Sequence, residues 1–404
     1  MKYIALASRI IAGILFVFSG FVKGVDPVGS QIKFSDYLAA AGMSLPDSIL
    51  LVAAMLLCAI EFITGVMLIT GSLYKTGVML YTIFMAIFTP LTLILAIFNP
   101  VSDCGCFGDA VHLTNWETFF KNLVLLIPGA VMLADVRKKT RSRLPVMELL
   151  TISSSLLIFV AFMIINVVWL PVIDFRPYKV GVNLTEAMSI PEDAPQDIYS
   201  TTLIYEKDGI RKEFSLENYP ADDSTWKFID QKSVLVRKGY EPPVRDFHVA
   251  AFQGGEITNT ILYSQDYSLL MISHNLGKAG RKNLDEGFMR GFGLAESGVG
   301  FYVVTSSPAD EIARFVNGLR FCTADGTLLK TIVRSNPGYL LIKEGTILAK
   351  WSPASLPDDD WFSSNISAAV LRRSANRNAA YVTWLFFFVI AGTIAVIRFS
   401  GVKY

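Results

Sequence analysis

The sequence predicts an all-α membrane protein of about six transmembrane helices that carries an α/β domain in its second half. Of the 404 residues, 52% are hydrophobic and 18% are charged, whereas soluble chains carry about a quarter charged residues. The apolar residues are concentrated in 1–170, while 171–378 have the mixed composition of a globular domain. These observations make the lipid bilayer a partner, and the net charge of +1 gives no reason to expect nucleic acid.

A transmembrane helix needs about 20 mostly apolar residues to cross about 30 Å of hydrocarbon. Six stretches meet this requirement, and the fourth is the weakest because Lys121 and Pro128 interrupt it. The six stretches are 4–22, 48–70, 76–98, 118–136, 147–170 and 380–397. The first stretch lacks a small-residue cleavage site, which distinguishes it from a signal peptide.

Short loops rich in lysine and arginine stay in the cytoplasm, so these residues predict the orientation of the helices in the membrane. The densest basic run is 137–143, with five basic residues. Both termini then face the cytoplasm, and 171–378 lie outside, in the periplasm of a bacterial inner membrane. Arg372, Arg373 and Arg377 oppose this orientation, but three residues beside a folded domain weigh less than five in one loop.

Two ionisable residues lie within the first two predicted spans, Arg9 and Glu61. Both are expected about 20 Å below the outer surface, so we predict an ion pair that clamps the two helices. In the alternative, Arg9 extends to the cytoplasmic face while Glu61 is protonated and bonds a backbone carbonyl. Cys58 shares a helix face with Glu61, and we interpret it as a packing residue.

The loop after the third span carries two cysteines one residue apart within Asp103–Asp109, the cysteine loop. On an oxidising face, Cys104 and Cys106 can close a small disulfide ring, and Gly105 permits the tight backbone that this ring needs. Bridged cysteines prefer Cα separations of about 5.5–6 Å, so we expect a strained and labile bond. The loop is therefore a candidate redox site, with Cys104 and Cys106 as its reacting residues.

Two other interpretations of the cysteine loop remain open. In the first, the pair forms a static disulfide; in the second, it is half of a metal site completed by His112, Asp103 and Asp109. Zinc is not favoured, because no second cysteine pair accompanies the first. We therefore expect no bound metal.

A family resemblance covers about residues 1–136. The pattern that carries it is Arg9, Gly13, Phe16, Ser19-Gly20, Lys23, Asp26-Pro27, Glu61 and Gly65. It resembles the DoxX superfamily of four-helix membrane proteins, and Cys104-Gly-Cys106-Phe-Gly108 is similar to the MauE branch. The resemblance implies periplasmic disulfide formation or maturation of methylamine dehydrogenase, and DoxX relatives include a subunit of a thiosulfate:quinone oxidoreductase. The added spans and domain resemble the longer DoxX/MauE-type proteins of Bacteroidota.

Short strands are predicted in the second half of the chain. Asp208-Gly209 and Glu344-Gly345 are hairpin turns, and Gly254-Gly255 marks a third hairpin between 242–249 and 256–262. Strands at 269–273 and 300–306 alternate with helices at 280–290 and 309–319. This order resembles the thioredoxin fold of TlpA-like and peroxiredoxin-like proteins, which implies that Pro337 is a cis proline opposite the active site.

The active-site cysteines of that fold are absent here. The position after strand 269–273 reads His274-Asn-Leu-Gly-Lys278, without cysteine. Since a thiolate is the nucleophile in disulfide exchange, we interpret the domain as a degenerate thioredoxin-like fold used for docking. Cys322 is interpreted as packing, and His274 as a hydrogen-bonding residue.

The sequence therefore predicts five regions: a DoxX/MauE-like four-helix domain at 1–136; a basic loop and fifth span at 137–170; a β-rich segment at 171–241; the degenerate thioredoxin-like domain at 242–365; and a last span with a short tail at 366–404.

Two functions fit these regions. In the first, the chain is an enzyme that exchanges disulfides with a periplasmic protein and passes electrons to a quinone or another thiol protein. In the second, it is a non-catalytic assembly or scaffold factor whose outer domain binds partners and whose cysteines only tie the loop. Asp103, Gly105, His112, Arg9, Glu61 and Pro337 support the site in either case. A small-molecule transporter is a weaker alternative, since one buried ion pair gives no transport path.

Overall fold

The structure is a computed structural model that describes residues 2–101, 103–136, 145–221, 223–296, 298–315, 318–357 and 380–395. The chain divides into two compact units, one formed by Met1–Val182 with His248–Tyr404 and the other by Asn183–Phe247. The basic run 137–143 and the three arginines at 372, 373 and 377 lie outside the described residues. The orientation in the membrane therefore stays a prediction.

Long apolar helices make up the first part of the larger unit. They are α1 (Lys2–Val25), α2 (Pro27–Ala40), α3 (Asp47–Thr70), α4 (Tyr74–Phe98), α5 (Asn115–Val136) and α6 (Pro145–Trp169). All except α2 are long and apolar enough to cross a membrane, which confirms the first five predicted spans. The sixth prediction falls on an apolar helix, Ala380–Ala395. At 1.5 Å per residue its described length is about 24 Å, slightly less than the hydrocarbon core.

Glycines allow α1 and α3 to pack with their backbones almost in contact. A Cβ atom on Gly20 would lie 2.7 Å from the backbone nitrogen of Phe62, and one on Gly65 would lie 2.7 Å from the carbonyl oxygen of Gly13. Small residues at such positions permit close helix approach in membranes. The contacts also fix the register of the antiparallel pair.

Aromatic rings join α6 and the C-terminal helix Ala380–Ala395 to this pair. Phe62 of α3 stacks on Phe159 of α6 at a centroid distance of 4.1 Å. Phe162 of α6 in turn lies 4.4 Å from Phe386 of the C-terminal helix. Offset or edge contacts of this kind add about 0.5–1.5 kcal/mol beyond the area that they bury.

Helix α2 was not predicted. The side chain of Asp26 caps its first turn by accepting a hydrogen bond from the backbone nitrogen of Gly29 at 2.8 Å, and Pro27 occupies the first helical position. Both residue types are favoured at these positions. The helix is too short and too polar to be a span, and it packs against α3 beside the cysteine loop.

The smaller unit contains a short helix and an antiparallel sheet. Helix α7 (Leu184–Met188) precedes β1 (Ile198–Lys207), β2 (Ile210–Ser215) and β3 (Lys227–Arg237), and the strand order is β2-β1-β3. Asp208 and Gly209 between β1 and β2 have φ values of 52° and 78°, as a tight hairpin turn requires. The predicted hairpin is therefore confirmed, and β3 extends it by one strand.

The larger unit also holds a mixed sheet with helices. Its elements are β4 (Ala250–Ala251), α8 (Thr258–Leu262), β5 (Ser268–Ser273), α9 (Arg281–Glu296), β6 (Gly300–Thr305), α10 (Ala309–Ile312), β7 (Phe321–Thr323), α11 (Gly326–Ile332), β8 (Gly338–Lys343) and β9 (Thr346–Trp351). The strand order is β4-β7-β6-β5-β8-β9. Strands β5, β6 and β7 are parallel, while β4, β8 and β9 pair antiparallel with their neighbours. We call residues 248–357 the α/β domain.

Most predicted elements of the α/β domain are confirmed, and the hairpin at 242–262 is wrong. Only β4 forms there, with one bridge from Ala250 to Glu256 across Gly254-Gly255. Residues Thr258–Leu262 are helical instead. The Thr258 hydroxyl accepts a hydrogen bond from the backbone nitrogen of Val249 at 2.9 Å, so a side chain takes the role of a ladder partner. Strand β7 and helix α11 were not predicted.

Candidate functional site

The cysteine loop folds sharply back on itself. Gly105 and Gly108 have φ values of 64° and 53°, a conformation that glycine adopts without steric cost. The backbone nitrogen of Gly108 donates to the carbonyl of Gly105 at 3.0 Å and closes a turn. This turn brings the sulfur atoms of Cys104 and Cys106 to 3.1 Å, where both are free thiols in hydrogen-bond contact.

Two helices fasten the loop at the cysteines themselves. Ser19 of α1 donates its hydroxyl to the carbonyl of Cys106 at 2.7 Å. Tyr37 of α2 donates to the carbonyl of Cys104, also at 2.7 Å. Burial and the neighbouring thiols raise the pKa of Tyr37 above its ordinary value, so the phenol stays protonated and remains a donor.

The two thiols differ in acidity. The hydrogen bond from Cys104, aided by the positive charges of Lys121 and Lys23, lowers the pKa of Cys106 to about 6. The same hydrogen bond, together with burial, raises the pKa of Cys104 above its ordinary value. At neutral pH the pair therefore holds a thiolate on Cys106 and a proton on Cys104, which is the division that an attacking and a resolving thiol require.

The acidic residues that flank the cysteines bind cations of the protein. Asp103 lies 3.0 Å from the ammonium of Lys33 and 3.9 Å from the imidazole of His112. Asp109 accepts a hydrogen bond from Arg334 at 2.7 Å. Among the described residues, no three histidine, cysteine or acidic side chains are grouped so that they could hold a metal ion.

The predicted ion pair between Arg9 and Glu61 is wrong. Glu61 pairs instead with Lys23, and both side chains are almost fully buried. Arg9 donates to the carbonyl of Ile69 at 3.5 Å and lies 5.6 Å from the ring of Tyr74. The carboxylate is therefore at the same end of the bundle as the cysteine loop.

The register of α1 against α3 explains this error. Gly20 lies against Phe62, so the last turn of α1 reaches only the middle of α3. The expected equal depth of Arg9 and Glu61 treats Lys23 and Ser48 as the level outer ends of the first two predicted spans. Helix α3 instead extends about 11 residues beyond Lys23, and α2 packs against this extension.

A cavity lies beneath the cysteine loop, inside the bundle. It encloses about 1100 Å³ including its open mouth, and Cys104 and Cys106 line one end. Its charged lining residues are Lys23, Asp26, Lys33, Glu61, Asp109 and Lys121. Most of the remaining lining is apolar and comes from α1, α3, α4 and α5, with Phe16, Phe84, Met85, Phe88, Leu91 and Leu125 among its residues. Cys58, interpreted from sequence as packing, is buried and also lines this cavity.

The α/β domain contacts the membrane region through the segments that follow β5 and precede β8, at one end of its central strands. Arg334, which follows α11, donates to Asp26 and to Asp109 at 2.7 Å each. Lys278 pairs with Asp47 at the start of α3 at 2.6 Å. These ion pairs join the α/β domain to the cysteine loop, to the start of α2 and to the start of α3.

Pro337 lies at the same end of the central strands, and the Asn336–Pro337 peptide bond is cis. The side chain of Asn336 accepts a hydrogen bond from Ser273 at 2.7 Å and donates one to the carbonyl of Asn275 at 2.8 Å. The segment that lacks the cysteines, His274–Lys278, is thereby tied to the proline. This end of the central strands therefore faces the membrane region of the same chain.

Burial shifts the pKa values of two further residues of the α/β domain, His274 and Cys322. Burial lowers the pKa of His274 to about 4, so its imidazole is neutral at physiological pH. Burial raises the pKa of Cys322 to about 11, and the residue is 1% exposed in β7. Cys322 keeps the packing role interpreted from sequence, while the hydrogen-bonding role of the His274 side chain stays a prediction.

Five residues that surround the cysteines had no role predicted from sequence: Ser19, Lys23, Lys33, Tyr37 and Lys121. A signal for two of them was present, because Ser19 and Lys23 are one helical turn apart. Both belong to the pattern that carries the family resemblance. Lys33 and Tyr37 lie in α2, which was not predicted.

The helices, the cysteine loop and the α/β domain define a multi-pass membrane protein with an added domain. Residues 1–135, about a third of the chain, match the family described as methylamine utilisation protein MauE, so this part of the chain is similar to that family. Residues 199–238 match a domain of unknown function, DUF8463, which covers most of the sheet β2-β1-β3. No curated protein and no solved structure matches the chain.

Proposed function

We propose that the protein is a membrane thiol–disulfide oxidoreductase in which Cys104 and Cys106 are the catalytic residues. The observation that carries this proposal is the pair of sulfur atoms at 3.1 Å, with the pKa of Cys106 lowered to about 6. A loop that only needed a tether would gain nothing from a thiolate at neutral pH. Reactive cysteines are typically found beside cations, as Cys106 is beside Lys121 and Lys23.

The exchange step follows from the two acidities. When the pair is reduced, the Cys106 thiolate attacks a disulfide of a partner protein and displaces one partner sulfur as a thiolate. Cys104 then loses its proton and attacks Cys106, which releases the second partner sulfur. The partner gains two electrons, one proton from Cys104 and one proton from solvent, and the Cys104–Cys106 disulfide forms. The reverse sequence oxidises a partner dithiol, with Cys106 as the better leaving group.

The same proposal places the cysteine loop and the α/β domain on the periplasmic face of a bacterial inner membrane. The five basic residues at 137–143 support a cytoplasmic position for the α5–α6 connection. An oxidising compartment is also where exchange through the loop is useful.

We infer that the α/β domain is a degenerate thioredoxin-like fold, on the basis of its sheet order and its proline before β8. Its contacts suggest a different role from the docking role expected from sequence. The end of the sheet at which thioredoxins carry their cysteines forms ion pairs with Asp26, Asp47 and Asp109 of the same chain. The domain therefore serves as a cap that positions the cysteine loop, and a partner reaches the loop from the side.

The test is a redox titration of the full chain in lipid nanodiscs. Protein equilibrated in a series of thiol–disulfide buffers is alkylated, and the fraction of oxidised Cys104–Cys106 is read by mass spectrometry. Catalysis predicts a midpoint in the range of oxidising exchange proteins, about −120 to −230 mV. A disulfide below about −300 mV is a static bond and would refute the proposal.

A trapping experiment identifies the partner. Cys104→Ser leaves the Cys106 thiolate without a resolving thiol, so a mixed disulfide accumulates. Cys106→Ser leaves only the less acidic thiol and should trap less. The matched control is Cys322→Ser, which removes a buried thiol in β7 and should leave trapping by the Cys104→Ser background unchanged.

A second candidate is an accessory factor that acts without turnover. The ion pairs of Arg334 favour it, because they hold the loop beneath the α/β domain. The matching family is described by its part in methylamine utilisation. In this case the Cys104→Ser, Cys106→Ser double variant would still support growth or assembly in the native cell, whereas an oxidoreductase would lose its function.

A further inference from the structure

Helix α2 presents two side chains to the residues at the start of the cysteine loop. Lys33 lies 3.0 Å from the carboxylate of Asp103, and the Tyr37 hydroxyl donates to the carbonyl of Cys104 at 2.7 Å. Residues four apart lie on the same face of a helix, so one face of α2 holds both Asp103 and Cys104. The other cysteine of the loop is held from elsewhere, by α1.

The Tyr37 hydroxyl also reaches the sulfur atom of Cys104. The hydrogen bond to Cys106 and burial raise the pKa of Cys104, and a hydrogen bond from Tyr37 to its thiol acts in the opposite direction. A hydroxyl hydrogen can rotate between two acceptors. The phenol therefore has two alternative acceptors in one residue, the carbonyl oxygen and the sulfur of Cys104. The sulfur becomes the stronger of the two when it is a thiolate, because hydrogen bonds to ionised groups are stronger.

The resolving step of the exchange reaction needs such a donor. Once Cys106 is bonded to a partner sulfur, it is no longer a thiolate, and the strong acceptor for the Cys104 proton is lost. Cys104 must then ionise in a site where burial raises its pKa, since only a thiolate attacks. A donor aimed at its sulfur stabilises the negative charge as that charge develops.

Charged and titratable groups also face the cysteine pair from the other packed elements. They are Lys121 of α5, Lys33 of α2 with Asp103 and His112, and Lys23 of α1 with Glu61 of α3. Lys33 and Lys23 are each paired with a carboxylate, and Lys121 acts on Cys104 through its charge. Tyr37 differs from these groups because burial raises the pKa of its phenol above the ordinary value. It therefore remains an uncharged donor while Cys104 titrates.

We propose that Tyr37 is a catalytic residue of the exchange reaction, whose hydroxyl turns from the carbonyl oxygen to the sulfur of Cys104 as this sulfur becomes a thiolate. This inference rests on the proposed oxidoreductase function. In the resolving step the Cys104 proton passes to the partner thiolate that was displaced first. The bond between Cys104 and Cys106 forms, and the bond between Cys106 and the partner breaks. The second partner sulfur leaves with that electron pair and takes a proton from solvent, while Tyr37 keeps its own proton.

The two half-reactions can be timed separately on the reduced full chain in lipid nanodiscs. One equivalent of dithiobis(nitrobenzoate), a small aromatic disulfide, releases one coloured thiolate when Cys106 attacks and a second when Cys104 resolves. The Cys104→Ser variant should give the first phase alone, which assigns the two phases. Cys58 and Cys322 are each 1% exposed and should react far more slowly.

Tyr37→Phe should slow the second phase by about tenfold or more, because a hydrogen bond to a charged sulfur is lost. The second phase rises with pH as Cys104 ionises, and its midpoint should move upward by about one pH unit. The first phase should be unchanged, which also shows that the loop keeps its fold. The matched control is Ser19→Ala, which removes a hydrogen bond of the same length to the carbonyl of Cys106 and should leave the midpoint of the second phase unchanged. Tyr37→fluorotyrosine, a stronger donor of nearly the same shape, should move that midpoint downward.

The outcomes separate this role from the proposed function. An unchanged second phase in Tyr37→Phe, or an unshifted midpoint with fluorotyrosine, would overturn the role of Tyr37 and leave the oxidoreductase intact. Equal slowing of both phases, or the same midpoint shift in Ser19→Ala, would show that Tyr37 only fastens the loop and would overturn the role as well. Absence of a second phase in the unaltered chain would refute the oxidoreductase itself, and with it any catalytic role of Tyr37.

Discussion

Arg334 of the α/β domain donates to the carboxylate of Asp109 at 2.7 Å, three residues after Cys106 in the cysteine loop. The same guanidinium binds Asp26, which caps α2. One side chain thus joins three parts of the fold that are far apart in sequence. Its side chain is 8% exposed, so the charge cannot simply return to water when a partner is lost.

Replacing Arg334 with methionine should destabilise the protein and loosen the loop. Removal leaves Asp26 and Asp109 partly buried without their partner, and loss of one member of a buried ion pair typically costs about 3–5 kcal/mol. We expect a lower Tm and faster reaction of Cys104 with a bulky maleimide. The matched control is Arg211→Met, since the pair of Arg211 with Glu206 is largely exposed and worth about 0–1 kcal/mol. Equal effects of the two variants would show that Arg334 does not hold the loop.

The acidity of Cys106 gives a prediction about pH. In the reduced Cys104→Ser variant, the serine hydroxyl can still donate to Cys106, so alkylation by iodoacetamide should rise with a midpoint near the pKa of Cys106, about 6. Above that pH the sulfur is a thiolate and reacts at a constant rate, and below it the rate falls about tenfold per pH unit. Cys106→Ser removes the first cause of the raised pKa of Cys104 and leaves burial, so the midpoint of Cys104 should still lie above that of Cys106.

The cationic surroundings of Cys106 can be tested in the same assay. Lys121→Met in the Cys104→Ser background removes a positive charge that lowers the pKa of Cys106, so the midpoint should move upward. Lys75→Met, which removes an exposed lysine of α4, is the charge-matched control and should leave the midpoint unchanged. A reversed order of the two cysteines, with Cys104 reacting at lower pH, would contradict the assignment of the attacking thiol.

The close packing of α1 on α3 predicts a strong effect of one methyl group. A Cβ atom on Gly65 would lie 2.6 Å from the backbone nitrogen of Val17, whereas Gly392 in the C-terminal helix has no atom within 4 Å of that position. Gly65→Ala should therefore destabilise the bundle by about 1–3 kcal/mol. Gly392→Ala should be neutral or slightly stabilising, since alanine is the better helix former. Unfolding of both variants in a detergent titration compares them directly, and a neutral Gly65→Ala would mean that the helices are farther apart.

Local signals explain which parts of the fold the sequence could predict. The five long spans follow from apolar length alone. Two hairpins follow from turns whose residues adopt positive φ, Asp208-Gly209 and Glu344-Gly345. The short strand β7 has only three residues, which is too few for a periodic pattern to emerge.

The site itself depended on contacts that no local pattern contains. Both cysteines were found because only Gly105 separates them and they lie in a glycine-rich loop. Arg334 is 225 residues from Asp109 in the chain, and nothing in its own surroundings distinguishes it from a surface arginine. Lys23 was visible in the family pattern, but its partner depended on a helix register that close glycine contacts determine.

The partner of Glu61 provides the last prediction, because two alternatives give opposite results. Glu61 and Lys23 are in contact, and both side chains are nearly buried. Arg9, about four turns earlier in α1, donates to the carbonyl of Ile69 in α3. Double-mutant cycles with Glu61→Gln should give a coupling energy of about 0.5–3 kcal/mol with Lys23→Met. With Arg9→Met the effects should add within about 0.5 kcal/mol. Coupling to Arg9 and additivity with Lys23 would instead restore the pairing expected from sequence, and would remove Lys23 from the charged end of the cavity.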